Sequence, residues 1–185
     1  MFPELIQWFR DIHETPWSRV SPLKLASALG VVALVILIHL TSREGWVFLV
    51  DDLNLVFHES GHPIFAVFGE TIGFLGGTLM QLLVPLMVAC SCWYKRQATA
   101  TGLAGVWFCQ NGFNIARYMA DARAQLLPLV GGGEHDWATL FGQWGVLDKD
   151  VVYAQTMAAL AWLGILLCCT WLGWRCYKDF ATRSR

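Results

Sequence analysis

Long apolar runs alternate with short polar connectors along this chain, and four of the runs have the length of a membrane-crossing helix. Residues 25–40 form the apolar heart of the first, with Pro22 and Thr41 as its limits, and residues 72–94, 99–120 and 151–174 form the others. A helix rising 1.5 Å per residue needs about 20 such residues to cross a hydrocarbon layer about 30 Å thick. The expected fold class is therefore all-α, a polytopic membrane helix bundle with four spans. A fifth segment, residues 46–68, has spanning length but carries Asp51, Asp52, Asn54, His58, Glu59 and His62. Facing lipid with those groups is too costly, so the pattern predicts a helix covered by protein or facing a watery cavity. At the amino-terminal end, Phe2, Leu5, Ile6, Trp8, Phe9 and Ile12 suit an amphipathic helix at the membrane surface within residues 1–23, closed by Pro16. Glu4, Arg10, Asp11 and Glu14 interrupt any signal-peptide core there.

Composition agrees with a single integral-membrane domain over residues 1–185, since 56% of the residues are hydrophobic and 14% aromatic. A net charge of -1 carries no electrostatic footprint for nucleic acid, but the distribution of charge is informative. If segment 46–68 enters and leaves on one side, the amino-terminal segment, the Lys95-Arg96 turn and the basic tail 175–185 share the opposite side. They then hold nine of the thirteen basic residues, while the other side receives ten of the fourteen acids. The positive-inside rule makes the basic side cytoplasmic. This predicts four spans plus a partly inserted helix, both termini cytoplasmic, in a bacterial inner membrane. Five of the six cysteines lie in apolar runs and only Cys176 lies outside one, so they read as small membrane-helix residues and not as a disulfide framework. Gly73, Gly76, Gly77, Gly102 and Gly105 read as sites of close helix approach.

The chemistry concentrates in Phe57-His58-Glu59-Ser60-Gly61-His62-Pro63. Two histidines four apart on a helix project from one face, so both imidazoles reach a single metal ion. The glutamate beside the first is placed to take a proton from the attacking water. A hydrolytic zinc site uses three protein ligands and an open position, whereas structural zinc sites are closed by four Cys or His ligands, and no cysteine lies near the pattern. Two residues are candidates for the third ligand. Asp121 ends a polar stripe, Asn114, Tyr118 and Asp121, on one face of the 99–120 helix; its alternative is a salt bridge to Arg117 or Arg123. His135 follows Gly131-Gly132-Gly133 in a loop, where Glu134 and Asp136 flank it and are placed to orient an imidazole or accept an outer hydrogen bond; its alternative is an exposed loop position. His39 and His13 read as structural.

The run His58-Glu59-Ser60-Gly61-His62, with its hydrophobic lead-in, resembles the HExGH helix of site-2-protease-like intramembrane metalloproteases. The resemblance implies that His58 and His62 hold Zn2+ with a distant aspartate, that Glu59 is the general base, and that the substrate is a membrane or membrane-proximal protein segment. The family's distal Asn-Pro and Asp-Gly motif is absent, Asn114 and Asp121 echoing only its spacing, and Pro63 is a further departure. The match covers one helix. The expected function is a membrane-embedded zinc endopeptidase whose partners are the lipid bilayer and a membrane-protein or membrane-proximal peptide, not nucleic acid. The competing readings are a metal-handling or transport protein using the same His/Asp cluster, and a non-catalytic membrane subunit.

Overall fold

The computed structural model describes residues 14–130 and 133–182. The amphipathic segment expected over residues 2–12, His13, Gly131, Gly132, Arg183 and Arg185 lie outside the described residues. Among those described there is no strand, and six α-helices follow in order: α1 Pro22–Thr41, α2 Val50–Phe65, α3 Glu70–Tyr94, α4 Ala98–Ala120, α5 Asp136–Gln143 and α6 Asp150–Ala181. The first, third and last carry stretches long and apolar enough to cross a membrane. Their outward positions, among them Leu34, Leu37, Leu83, Leu86, Leu163 and Leu166, are exposed and apolar, the pattern of helix faces solvated by lipid. The fourth run expected as a span is helical too, as α4, but it is more polar than the other three. Gln110, Asn111, Gly112 and Phe113 are all buried in it. An enclosed helix touches other helices and not lipid, so it tolerates polar residues that an outer helix does not.

Local signals explain the helix boundaries. Ser21 accepts a hydrogen bond from the Lys24 N–H at 3.2 Å and Pro22 opens α1, a side-chain cap followed by a residue with no amide proton to satisfy. Asp51 and Asp52 open α2, accepting from the Val47 N–H at 2.7 Å and the Leu49 N–H at 2.9 Å. These carboxylates satisfy backbone donors and complement the positive end of the helix. Downstream, Pro63 lies inside α2, which gives way after Phe65 to a 3₁₀ turn, Ala66–Phe68, and Gly69 at φ 109° redirects the chain into α3.

One end of the molecule gathers the segment before α1, the α3–α4 turn and the end of α6. There the Val20 N–H donates to Asp179 at 2.9 Å, the Ser18 N–H donates to the Arg96 carbonyl at 2.8 Å, and Trp17 meets Trp171 at 5.2 Å. At the other end Arg117 pairs with Glu44 at 2.6 Å and Thr71 donates to Gln143 at 3.0 Å. Both ends of segment 46–68 therefore lie with α5, away from the basic turn and tail. Within that segment the chain doubles back. Glu44 is level with Arg117 of α4, but Asp51 and Asn54 are level with Gln110, whose side chain bonds both at 2.7 and 3.1 Å. Seven residues of helix correspond to about 10 Å. From there α2 climbs beside α4 until His58 reaches Tyr118, ring centroids 5.7 Å apart.

Asp51, Asn54, Gln110 and Trp107 form a closed network where α2 begins. Asp51 accepts from Asn54 and Gln110, and the Trp107 indole donates to Asn54 at 2.9 Å. Buried polar groups are tolerable when each has such a partner. The glycines expected to admit close helix packing do so. A Cβ on Gly76 would lie 2.6 Å from the Gly61 carbonyl oxygen, and one on Gly77 would lie 2.6 Å from the His58 ring. Gly61, not among the expected glycines, is as tight, since a Cβ there would overlap the Gly76 carbonyl. On the other flank Gly102 and Gly105 face Leu172 and Cys168 of α6. All six cysteines are free. His39 stacks on Phe113 at 4.4 Å and bonds the Gly45 carbonyl, a packing role.

Candidate metal centre

Three groups converge where α2, α3 and α5 meet. His58 and His62, one helical turn apart on α2, both direct Nε2 at a single carboxylate oxygen, Asp136 Oδ2, at 2.9 and 3.4 Å. Their outer nitrogens are also held. His62 Nδ1 lies 2.9 Å from the Gly73 carbonyl oxygen, and His58 Nδ1 lies 3.1 Å from Gln81 Oε1. A carbonyl oxygen only accepts, so His62 Nδ1 carries a proton. In the neutral ring Nε2 then presents a lone pair to another lone-pair atom, the carboxylate oxygen. Such an arrangement requires a cation at its centre, either a proton or a metal ion.

The spacing suits a metal. Ligand bonds of 2.0–2.1 Å at tetrahedral angles put ligand atoms about 3.3 Å apart, and the three donor atoms here all lie within 4.8 Å of one another. Imidazoles whose second nitrogen donates to a carbonyl or amide oxygen are the usual metal-ligating kind. The group His58, His62 and Asp136 fits a bound metal ion, and the buried His58 and Asp136 are the better shielded members.

Without metal, a proton occupies the centre. The Asp136 carboxylate, assisted by the Gly73 carbonyl, outweighs burial and holds the His62 imidazole protonated up to about 9, from an ordinary 6.5. Burial opposes the charge on Asp136, yet hydrogen bonds from His58 and His62 keep its carboxyl below the usual range. A histidine pKa raised by folding stabilises the apoprotein fully below the ordinary value, and that contribution fades as pH rises through about 9. A metal ion entering the centre must displace the same proton. Apparent zinc affinity is expected to climb roughly tenfold per pH unit until pH passes the His62 value, with about one proton released per ion. Calorimetry in buffers of different ionisation enthalpy measures that release.

Gln81 is the residue in this arrangement that the sequence did not single out. It is an amide in an otherwise apolar helix, 1% exposed, one turn from Gly77, whose missing side chain makes room for the His58 ring. A buried amide in a lipid-facing run is the signal that marks it. Gln81→Leu is expected to lower zinc affinity about 10- to 100-fold while α3 stays folded, the usual cost of losing an outer partner of a ligating histidine. Competition with a chromophoric chelator reads this directly.

Asp121 and His135, the residues expected to supply a third ligand, are placed elsewhere and face each other. Asp121 ends α4 and accepts from the Leu126 and Leu127 N–H groups at 2.9 and 3.0 Å, which shapes the turn after the helix. His135 is buried and caps α5, its Nδ1 accepting from the Ala138 N–H at 3.2 Å, and its Nε2 lies 3.4 Å from Asp121. Burial pushes the His135 pKa down, so the ring stands neutral and accepts at Nδ1. By capping α5, His135 sets the position of its neighbour Asp136, which reaches both α2 histidines.

Two cavities meet at the cluster. One of about 520 Å³ is lined by His58, Glu59, His62, Glu70, Phe74 and Glu134 among others, and a second of about 310 Å³ lies toward Trp46, Asn114 and Arg117. His58, Glu59, Tyr118, Leu129 and Val130 border both. Glu59 is half-buried on this shared border, and no described residue hydrogen-bonds its carboxylate. No family model, curated protein or solved structure matches the chain.

Proposed function

We propose that this chain is a membrane-embedded, zinc-dependent endopeptidase that cuts a peptide bond of a membrane or membrane-proximal protein segment. The observation that carries the reading is the convergence of two imidazole nitrogens on one carboxylate oxygen, beside a glutamate whose carboxylate has no partner among the described residues. A bound zinc ion would supply Lewis acidity, polarising the substrate carbonyl and acidifying water. His58, His62 and Asp136 would hold it, with Gln81 and Gly73 orienting the two rings.

Glu59 then does the proton work. Its carboxylate takes one proton from the attacking water as the new C–O bond forms at the carbonyl carbon. It returns that proton to the leaving nitrogen as the C–N bond breaks, so the side chain ends unchanged. Space on both sides of Glu59 suits a chain that continues past the scissile bond in each direction. The apolar walls supplied by Phe74, Leu55, Leu129 and Val130 suit a hydrophobic segment.

In this reading α1, α3, α4 and α6 cross the bilayer, and α2 enters part-way and returns on the same side. Support comes from the doubling back of segment 46–68 and from the gathering of the basic turn and tail at the opposite end, which the positive-inside rule assigns to the cytoplasm. The deciding experiment is zinc content and cleavage of a membrane-segment reporter in wild type, Glu59→Gln and Asp136→Ala. Loss of zinc in Glu59→Gln would make Glu59 a ligand and favour metal transport.

A further inference from the structure

The polar stripe Asn114, Tyr118 and Asp121 on α4 is not the ligand set, and its central residue has no task in the chemistry described so far. Tyr118 borders both cavities, so it stands where they join beside Glu59 and His58. Its ring is held on two sides, edge-on to His58 at 5.7 Å and against His135 at 4.2 Å. Its hydroxyl oxygen accepts a hydrogen bond from the Asp136 N–H at 3.1 Å. That contact places the phenol oxygen against the backbone of the residue whose side chain completes the metal centre.

We propose that Tyr118 is a catalytic hydrogen-bond donor that stabilises the oxyanion developing on the substrate carbonyl, an assignment that rests on the peptidase reading. Accepting from Asp136 uses a lone pair and leaves the phenol proton free. No described residue accepts that proton, so it is available to a ligand in the cleft. An O–H that receives a hydrogen bond is also a stronger donor than an isolated one. The two flanking rings fix its direction, and a donor fixed in advance in a site shielded from water costs no reorganisation when charge develops. The phenol keeps its proton throughout; only the hydrogen bond tightens as the carbonyl oxygen becomes negative.

The alternative is that Tyr118 only positions Asp136, and the two roles separate experimentally. Full-length protein in detergent would be assayed with an internally quenched peptide library built around an apolar segment. A phosphinate analogue of the best-cleaved peptide would then serve as a mimic of the tetrahedral state. Tyr118→Phe is expected to keep its zinc and its KM, to lose about 100- to 1,000-fold in kcat, and to bind the phosphinate correspondingly less tightly. A difluorotyrosine at position 118 preserves the bond from Asp136 but acidifies the phenol, so the alkaline limb of the kcat profile should move to lower pH. Full activity in Tyr118→Phe would overturn the assignment. So would loss of zinc in that variant together with an unmoved pH profile for the fluorinated protein, which would make Tyr118 a positioning residue. If wild type and Glu59→Gln fail alike to cleave the library, the peptidase reading falls first and this assignment with it.

Discussion

Replacing Asp136 with alanine is expected to empty the metal centre, whereas replacing Glu59 with glutamine is expected to leave it filled and inactive. Structural zinc sites with four protein ligands bind the ion with about 10–16 kcal/mol, a few kcal/mol per ligand, so removing one of the three here should weaken binding on the order of 1,000-fold. Asp136 is also the hub, because its Oδ2 is the atom that both imidazoles face. Its loss leaves His58 and His62 without the negative charge that offsets a dication. Glutamine at position 59 keeps shape and volume but cannot accept a proton. The expected result is stoichiometric zinc with a rate about 100- to 10,000-fold lower, the range typical of a lost general base. Metal analysis of the purified variants beside Asp121→Asn completes the comparison. Asp121→Asn should retain zinc, because its carboxylate holds the turn at Leu126 and Leu127. Zinc kept in Asp136→Ala and lost in Asp121→Asn would transfer the third position to Asp121.

A single methyl group at Gly61 should be nearly as damaging, by a different route. The Cβ of an alanine there would overlap the Gly76 carbonyl, and the obstacle is backbone, which cannot rotate away as a side chain can. Forcing extra volume into a packed contact costs about 1–3 kcal/mol, and relief here requires α2 and α3 to separate. Separation pulls His62 from Gly73 and His58 from Gln81, so Gly61→Ala should lose both thermal stability and zinc affinity. Gly77→Ala isolates the second effect: its methyl meets the His58 ring, a side chain that can move, and it should cost metal more than stability. Gly30→Ala is the matched control, since its Cβ would meet nothing within 4 Å. Thermal unfolding by fluorescence together with zinc titration distinguishes the three. Equal behaviour of Gly61→Ala and Gly30→Ala would show that the α2–α3 contact is not tight.

Much of this architecture is legible in the sequence because it depends on short-range periodicity. Apolar run length sets which helices are long enough to cross a membrane, and α1, α3 and α6 follow it directly. The spacing of His58 and His62 fixes two ligands on one face whatever surrounds them. The doubling back of segment 46–68 agrees with the path that the charge distribution favours, while its polar residues ask only that the helix be covered. The outward surface of α4 is a different matter. Its residues are polar enough for an interior position, but only the packing of α3 and α6 around it creates that interior.

The third ligand was beyond local reading. Asp121, His135 and Asp136 lie in the same connection, and from spacing alone the first two stand out as ligands while Asp136 reads only as an acid flanking His135. What separates them is the turn after α4: Asp121 is committed to the backbone N–H groups of Leu126 and Leu127, and His135 caps α5 and packs against Tyr118. With both committed, the first residue of α5 is the acid delivered to α2. Gln81 and Gly61 follow the same logic, since the roles of an amide and of a missing side chain appear only when α3 lies against α2; Gly77 is readable as a site of close approach, but not as the space that the His58 ring fills. The helices, the histidine pair and the glutamate beside it can be read along the chain, because each is a matter of a few bonds or one helical turn. Tertiary structure decided which carboxylate closes the site and what holds its rings, because those contacts join segments that only packing brings together.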